Sequence, residues 1–420
     1  MRIWLVQSGE PTPIDDGDPR PMRYALLAEL LADRGHDVVW WTSAFDHYRK
    51  EMRPVGTHRV ETQSAGYRLV TLPAFGYRRH ISPRRFADHA RVGVAMLCQG
   101  RRSEAPDIIV HGLPTLELGA AATHLAGRFD CPVVCDILDL WPDLFFDVLP
   151  RRLRFLGRTA LFPLEAMANY QCRRSTAIIG QNASFVDWGL RRARRAVGPH
   201  DGEVRIAFQH RSDQGTAPSD VEFWTSLGVD LEGSLVAFAG SFSRHFDFDP
   251  VVEVARRWAT TRPDTTFVLC GDGPERSGIV DTCSGLDNVL LPGWVDRGPL
   301  AALLRAAECG LAPYEPSPSF LDSIPNKVVE YLAFGLPVVT SLGEGAVGGL
   351  SRASGFGACF LPGDAGDLDA QLGFLIDDAG ARSTAAYAAR RTFLQHFEAN
   401  MVYGELADRL VEVVDVSRGT

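Results

Sequence analysis

The sequence alternates short apolar runs of strand length with longer amphipathic segments of helix length. "RIWLVQ" is followed by a loop rich in Gly, Pro and Asp, then by "MRYALLAELLADRG" and "HDVVWWTS". Met22, Leu26 and Leu30 share one face of the middle segment, and Gly35 is a helix stop signal. A repeated strand–helix–strand order predicts parallel sheets covered by helices. We therefore expect an α/β fold of two facing Rossmann-like domains, with a deep cleft between the carboxyl ends of their sheets.

The same alternation resumes in the second half, with the apolar runs "SLVAFAGS", "TTFVLCG", "NVLLPG", "CGLAPY" and "LPVVTS". The polar stretch "HRSDQGTAPSD" that precedes them is typical of a linker. The predicted domains are residues 1–205 and 206–399. The last helical segment, about 400–418, is expected to pack back on the first domain.

Composition argues against several classes of protein. The chain has 420 residues and a formal net charge of -9, which is unlike a dedicated nucleic-acid-binding protein. It has no apolar run long enough to span a bilayer and no signal-peptide layout, so we expect a cytoplasmic protein. The 8 cysteines contain no paired CxxC units, and the acids of "DFD" precede a helix start, where acids favour the first turn. The sequence therefore predicts neither a metal nor another cofactor.

The segment "LDSIPNKVVEYLAFGLPVVTS" holds one of the two lysines of the chain. Pro325 predicts the first turn of a helix, with Ser323 as a candidate cap and Gly335 at the end. Lys327 then lies at the helix N-terminus, where the dipole disfavours a cation but favours a bound anion. The ammonium and the free N–H groups together suit a phosphate or diphosphate, and Glu330 could accept from a ribose diol. The alternative is a Lys–Glu pair on a solvent-exposed helix face.

Three glycine turns follow strands of the same half. They are "AGSFSR" with Gly240 and Arg244, "CGDGPE" with Gly271 and Asp272, and "PGWVD" with Gly293 and Trp294. Because the carboxyl ends of parallel strands share one edge of a sheet, these turns are expected on the edge that binds ligands. Each turn alone is weak evidence for a binding site, because glycine is common in turns that follow strands.

Taken in order, "FAGSFSR", "GDGPE", "NVLLPGWVD", "APYEPS" and "PNKVVEYLAFGLPVV" resemble the C-terminal domain of retaining glycosyltransferases of the GT-B fold, family 4. The similarity covers most of residues 235–340. "LLAELLADRGHDVVWWTS" and "VVCDILDLWPD" are similar to the bacterial branch that builds surface polysaccharides. The resemblance implies a nucleotide-diphosphate-sugar donor held by the C-terminal domain and an acceptor held mainly by the N-terminal domain.

The resemblance also implies roles for individual residues. Glu330 matches the family glutamate that holds the ribose, and Asp322 falls where the family often has a glutamate that contacts the donor sugar. The "GRL…KG" pair that usually binds the diphosphate is absent after Gly240, so we assign Arg244 and Lys327 to that charge. The predicted donor-binding residues are Arg244, Lys327, Glu330, Gly240, Ser241, Ser323, Asn326, Gly271, Asp272, Gly293 and Trp294.

The first domain offers weaker candidates. "SGEPTPIDDGDPRP" replaces the usual Gly-rich turn, and Arg20 and Arg23 could partly substitute for its N–H groups. His111 ends "DIIVHG" and Asp139 lies in "DLWPD", so either could orient the acceptor hydroxyl or share its proton. A histidine at a strand end is also commonly a structural hydrogen bonder. The predicted catalytic residues are Asp139, His111 and Asp322.

Two segments, "YRRHISPRR" and "LFFDVLPRRLRFLGRTALF", mix arginines with bulky apolar residues. Such a surface suits the inner face of a membrane, where lipid-linked acceptors lie. The alternative is a set of arginines paired with acids of the chain. The arginines concerned are Arg78, Arg79, Arg84, Arg85, Arg151, Arg152, Arg154 and Arg158.

The leading interpretation is a retaining, metal-independent, hexosyltransferase-like enzyme that moves a sugar to a glycan, lipid-linked or small-molecule acceptor. Arg244, Lys327 and the helix N-terminus would stabilise the departing diphosphate in place of a metal. One alternative is a nucleotide-sugar epimerase or hydrolase on the same fold, for which the sequence identifies no clear base. Another is a non-catalytic donor-binding partner subunit, which the departures at Asp322 and in the first loop leave open.

Overall fold

The computed structural model describes residues 1–16, 20–61, 66–79, 82–145, 154–210 and 215–419, with the backbone alone for 154–160, 318 and 319. The chain divides into two compact units, Met1–Arg205 with Ala399–Thr420, and Ile206–Glu398. None of the helices in the described ranges is both long and apolar enough to cross a membrane.

Strands and helices alternate along both units. The strands are β1 (Arg2–Val6), β2 (Asp37–Ser43), β3 (Phe45–Asp46), β4 (Glu51–Met52), β5 (Gly56–Val60), β6 (Tyr67–Leu72), β7 (Ile108–Leu113), β8 (Val133–Ile137), β9 (Ala177–Gly180), β10 (Gly202–Glu203), β11 (Ser234–Ala239), β12 (Thr265–Cys270), β13 (Val289–Gly293), β14 (Cys309–Ala312), β15 (Val338–Thr340) and β16 (Gly357–Cys359). The helices are α1 (Arg23–Asp33), α2 (Pro83–Gly100), α3 (Leu116–Phe129), α4 (Arg154–Arg174), α5 (Ala183–Ala193), α6 (Pro218–Ser226), α7 (Asp249–Thr261), α8 (Arg276–Thr282), α9 (Arg297–Ala306), α10 (Pro318–Leu321), α11 (Asn326–Ala333), α12 (Ala346–Ser354), α13 (Ala365–Asp377), α14 (Ala379–His396) and α15 (Ala399–Arg418).

The sheet of the first unit has the order β10-β9-β8-β7-β1-β2-β6-β5. Its pairs are parallel except for β5, which runs antiparallel to β6. The side chains of β7 are all buried, because helices cover both faces, and such strands have continuous apolar sequences. The chain moves outward from β1 in both directions, so the sheet has its topological switch point between β1 and β7.

The sheet of the second unit has the order β13-β12-β11-β14-β15-β16, and all of its pairs are parallel. Its switch point lies between β11 and β14. Helices pack on both faces: Val328 and Leu332 of α11 belong to one hydrophobic cluster, and Val251 and Trp258 of α7 to the other. The predicted α/β fold with two Rossmann-like parallel sheets is confirmed.

A buried ion pair ties three parts of the first unit together. Arg23 donates from Nε to Asp136 at 2.6 Å and from a second guanidinium nitrogen to the backbone oxygen of Val204 at 2.9 Å. The Arg23 guanidinium lies 5.9 Å from the ring centroid of Tyr403 in α15. Arg23 is therefore committed to the interior of the unit, and the expectation that it replaces the N–H groups of a glycine turn is wrong.

Removing the carboxylate from this pair should strongly destabilise the first unit. Both side chains are almost fully buried, at 7% and 2% exposure, so Asp136→Asn leaves Arg23 buried without its counter-charge. We expect a loss of about 3–5 kcal/mol in the free energy of unfolding, measured by urea denaturation. The control is Asp408→Asn, which breaks the exposed pair with Arg34 and should cost about 0–1 kcal/mol. Equal losses in the two variants would contradict this account.

Candidate functional site

Lys327 is buried at the N-terminus of α11. Its side chain is 6% exposed, and Nζ lies 3.8 Å from the ring centroid of Phe238 and 5.1 Å from that of Phe246. The alternative of a Lys–Glu pair on a solvated helix face is therefore wrong for this lysine. The predicted start of the helix needs a small correction, because Pro325 occupies the N-cap position and makes no side-chain cap hydrogen bond.

Three glycines bring backbone, rather than side chains, to the ammonium. A Cβ on Gly240 would lie 2.1 Å from Nζ of Lys327, so a side chain there would displace the ammonium. A Cβ on Gly271 would lie 1.8 Å from the backbone oxygen of Gly240. The N–H of Gly271 in turn donates to the oxygen of Gly293 at 2.7 Å. Lys327 and the ends of β11, β12 and β13 thus form one continuous set of contacts at the carboxyl edge of the sheet.

Tyr331 fixes α11 across the switch point of this sheet. Its hydroxyl accepts a hydrogen bond from the N–H of Ala239 at 3.0 Å and donates to the oxygen of Leu311 at 3.1 Å. A Cβ on Gly310 would lie 2.6 Å from the Tyr331 ring, so the glycine in β14 leaves the space that this ring occupies. Because Tyr331 is one turn from Lys327 on α11, these contacts position the ammonium.

The surroundings of Lys327 oppose its charge. Burial lowers its pKa to about 7, while the negative charge of Glu330 acts in the opposite direction. An anion bound beside Nζ would favour the charged form and raise this pKa.

The other predicted donor-binding residues lie on the loops around this edge or on α11. Asp272 is exposed, and one of its carboxylate oxygens accepts from the N–H of Gly273 at 2.7 Å. Trp294, just after β13, is 76% exposed. Ser323 and Glu330 are half-buried. Ser241 and Arg244 after β11 and Asn326 at the first position of α11 are also exposed, as is Asp322, the predicted catalytic residue before α11. Throughout the part of the chain that the structure describes, no three His, Cys, Asp or Glu side chains are grouped so that they could hold a metal ion.

The first unit has its own pocket, with a volume of about 250 Å³, at the carboxyl ends of β1, β2, β7 and β8. Asp139 lines this pocket, is half-buried and accepts from the N–H of Leu140 at 2.9 Å. Burial raises the pKa of Asp139, and the nearby charge of Arg85 partly offsets that effect. Asp139 is therefore placed where the sequence predicted it, beside a space that could hold a ligand.

His111 does not reach the pocket. β7 continues to Leu113, so His111 lies inside the strand and is fully buried. Its Nε2 is 3.3 Å from the hydroxyl of Thr123 in α3, and burial lowers its pKa to about 3. The expectation of a histidine at the ligand-binding edge is wrong, because the strand is two residues longer than the apolar run suggested.

Sequence reasoning missed Arg85 as a pocket residue. The guanidinium of Arg85 lies 4.5 Å from the ring centroid of Trp141 and lines the pocket. The neighbouring Arg84 donates from Nε to the backbone oxygen of Gly76 at 2.7 Å. Both arginines were predicted to lie on a membrane-facing rim, and this stays a prediction: Arg84 is exposed, whereas Arg85 is half-buried in the pocket wall. The sequence signal that could have placed Arg85 is the helix start "SPRR". The side chain of Ser82 caps the helix by accepting a hydrogen bond from the N–H of Arg85, so Arg85 lies in the first turn of α2.

The structure describes the side chains of only two of the other arginines that were predicted to lie on that rim. Arg78 and Arg79 are exposed. Arg151 and Arg152 lie outside the described residues, and only the backbone of Arg154 and Arg158 is described.

Comparison with known proteins points to one family for part of the chain. Residues 233–378 match the family model described as Glycosyl transferases group 1. Over 155 residues the chain is 29% identical to TuaH of Bacillus subtilis (strain 168), whose name assigns it to teichuronic acid biosynthesis as a glycosyltransferase. That match covers 37% of this chain and 36% of TuaH, so the aligned region spans about a third of that relative.

Two solved structures match over nearly the whole chain. Sucrose-phosphate synthase from Thermosynechococcus elongatus has a TM-score of 0.72 and 15% identity, covering 99% of this chain and 100% of that one. Anabaena HepE in complex with UDP-glucose has a TM-score of 0.64 and 16% identity, covering 98% and 100%. At this level of identity the similarity shows the fold, which is GT-B.

Replacing Lys327 with Met should stabilise the protein at low pH. The pKa of about 7 in the folded state is lower than that of a lysine in an unfolded chain, so folding releases a proton between these two values. The destabilisation caused by the buried ammonium is therefore complete below about pH 7 and is lost as the pH rises toward ~10.4. We expect Lys327→Met to melt above the wild type at pH 6, with the difference shrinking by pH 9.5. A pH-independent difference in thermal melts would contradict the buried charge.

Proposed function

We propose that the protein is a glycosyltransferase that takes its sugar from a nucleotide-diphosphate sugar. The observation that carries the proposal is the buried ammonium of Lys327 against the backbone of Gly240, at the carboxyl edge of a doubly wound sheet. Burying a cation among three aromatic rings is costly unless a ligand supplies the opposite charge. The match of residues 233–378 to group 1 glycosyltransferases supports the assignment independently of this geometry.

The donor would bind to the second unit. Its diphosphate would contact Lys327, the N-terminus of α11 and Arg244, while Glu330 would accept hydrogen bonds from the ribose diol. The glycines at 240, 271 and 293 leave the edge without side chains, so a ligand could approach the backbone N–H groups closely. The complex of HepE with UDP-glucose, on the same fold, supports a nucleotide sugar as donor.

The reaction we propose is a transfer with retention of configuration. The acceptor hydroxyl oxygen bonds to the anomeric carbon as the bond from that carbon to the diphosphate oxygen breaks, and the hydroxyl proton passes to the departing diphosphate. Lys327 would stabilise the negative charge that develops on the leaving group, so its effect would be larger in the transition state than in the ground state. Asp139, in the pocket of the first unit, would orient the acceptor hydroxyl.

The acceptor is proposed to be a carbohydrate of a bacterial surface polysaccharide. This follows from the name of TuaH, which matches over the 155 residues described above. Two properties of the pocket in the first unit are consistent with it: several aromatic rings line it, and the hydroxyls of Ser8 and Thr115 lie 2.8 Å apart on its wall.

Two substitutions separate the phosphate contact from the ribose contact. Lys327→Met should weaken a nucleoside diphosphate by about 10–100-fold, because a charge-assisted hydrogen bond is worth roughly 1.5–3 kcal/mol, and should hardly change nucleoside affinity. Glu330→Gln should weaken both, because the ribose is common to the two ligands. Isothermal titration with uridine diphosphate and uridine, alongside other bases, measures both affinities.

The matched control is Glu253→Gln, which removes an exposed carboxylate from α7 that pairs with Arg257 on the same helix. It should leave every affinity unchanged. If Lys327→Met binds nucleoside diphosphates as tightly as the wild type, the diphosphate assignment is wrong. Incubation of the wild type with donor alone tests the reaction class, because release of free sugar at the rate of transfer would identify a hydrolase.

Transfer should continue in the presence of a chelator. In this proposal the helix N-terminus and two basic side chains neutralise the leaving diphosphate, so no divalent ion is required. Transfer is measured by release of the nucleoside diphosphate, with and without EDTA, after dialysis. If EDTA abolishes transfer and added Mg²⁺ or Mn²⁺ restores it, the leaving-group assignment is wrong.

A further inference from the structure

Two cationic side chains lie near the ring of Tyr77, beside the pocket of the first unit. Nζ of Lys50 lies 4.9 Å from the ring centroid of Tyr77, and the guanidinium carbon of Arg85 lies 5.4 Å from it. Tyr77 and Arg85 line the pocket. Burial and the like charge of Arg85 both lower the pKa of Lys50. The fold therefore gathers positive charge here in a chain whose net charge is -9.

The backbone holds Lys50 in place at a cost. Lys50 has a φ of 61°, in the left-handed region that residues other than glycine and asparagine seldom occupy. It closes the turn between β3 and β4, and its ammonium donates to the backbone oxygen of His47. Nδ1 of His47 is in turn 2.6 Å from the hydroxyl of Tyr77. These contacts fix the ammonium beside the ring instead of leaving it to move in solvent.

The acids packed around this ring have other roles. The negative charge of Asp46 raises the pKa of Lys50 and so opposes the effect of burial. One carboxylate oxygen of Asp46 already accepts a hydrogen bond from the N–H of Tyr48 at 2.7 Å. Asp88 accepts from the N–H groups of Phe75 and Gly76 at 2.6 and 2.7 Å. Burial raises the pKa of Glu117 to about 7, and the charge of Arg85 partly opposes that shift. Asp46 and Asp88 therefore support the backbone, burial favours the neutral form of Glu117, and Asp139 on the pocket wall is an acid that acts on Arg85.

The rest of the pocket suits a sugar ring. The rings of Tyr48, Tyr77 and Trp141 offer apolar surface on which the C–H groups of a pyranose could pack. The carboxylate of Asp139 and the hydroxyls of Ser8 and Thr115 offer partners for sugar hydroxyls. An acidic sugar would bring to the pocket the negative charge that Lys50 and Arg85 favour.

We propose that this pocket binds an acceptor carbohydrate bearing an anionic group, a carboxylate or a phosphate, and that Lys50 and Arg85 bind that group beside Tyr77. The inference rests on the proposed function, since it names the class of acceptor for the same reaction.

The experiment compares sugars that share one ring and differ in charge. Glucose, glucuronate and glucose 6-phosphate are titrated against the full-length protein by ligand-observed NMR, with inorganic phosphate as a further probe. We expect at least one acidic sugar to bind about ten-fold or more tightly than glucose. Whichever acidic sugar binds more tightly identifies the anionic group as carboxylate or phosphate. Binding of all three sugars with equal affinity, or of inorganic phosphate as tightly as glucose 6-phosphate, overturns the inference.

Variants connect the preference to the two cations. Lys50→Gln and Arg85→Gln should each reduce the preference for the acidic sugar by about ten-fold, and Lys50→Arg, which keeps the charge, should restore most of it. The control is Arg91→Gln, which removes the same charge from an exposed position of α2 and should leave the preference unchanged. If Arg91→Gln reduces the preference as much as Lys50→Gln, the effect is long-range charge and the inference is wrong.

Parallel titration with uridine diphosphate distinguishes this inference from the function on which it rests. Lys50→Gln should bind the nucleotide as the wild type does, because the proposed nucleotide contacts are Lys327, Arg244 and Glu330 and do not include Lys50. If nucleotide binding depends on Lys327 but acidic and neutral sugars bind alike, only the acceptor inference fails. If no nucleoside diphosphate binds, the proposed function fails and this inference fails with it.

Discussion

The contact between the ammonium of Lys327 and the backbone of Gly240 determines how the second unit can act. A lysine reaches this position only because three requirements are met together. Gly240 has no side chain, Tyr331 holds α11 across β11 and β14, and the rings of Phe238 and Phe246 accept a cation on their faces. The result is a charge stored in the interior, at the edge of the sheet where ligands of doubly wound folds bind.

The choice of lysine over arginine at this position has a physical reason. Elsewhere the chain obtains its positive charge almost entirely from arginine, whose guanidinium stays charged at any pH a cell reaches. A lysine ammonium is compact, and it can lose its proton when it is buried without a partner. The chain thus uses its two lysines, Lys327 and Lys50, where a cation is desolvated and the pKa is lowered.

Much of the fold and part of the site could be predicted from the sequence. Buried parallel strands such as β11 and β12 are continuous apolar runs bounded by glycine, and their order alone implies the sheet. Lys327 could be found because its charge is unfavourable at a helix start. His111 was misplaced because an apolar run does not show where a strand ends. Arg85 was missed because paired arginines near aromatic residues look the same in a sequence whether they face solvent or a pocket.

The C-terminal helix α15 belongs to the first unit, although the whole second unit lies between it and the rest of that unit in the chain. Tyr403 and Leu406 of α15 are almost fully buried, and Asp408 bonds to Arg34 of α1. A ribosome synthesises the strands of the first unit early but this helix only after the whole second unit. The second unit is contiguous, so it can complete its core while the chain is still attached to the ribosome. The first unit must wait with part of the apolar surface of α1 uncovered until α15 emerges, which makes it the half more exposed to chaperones and proteases during synthesis.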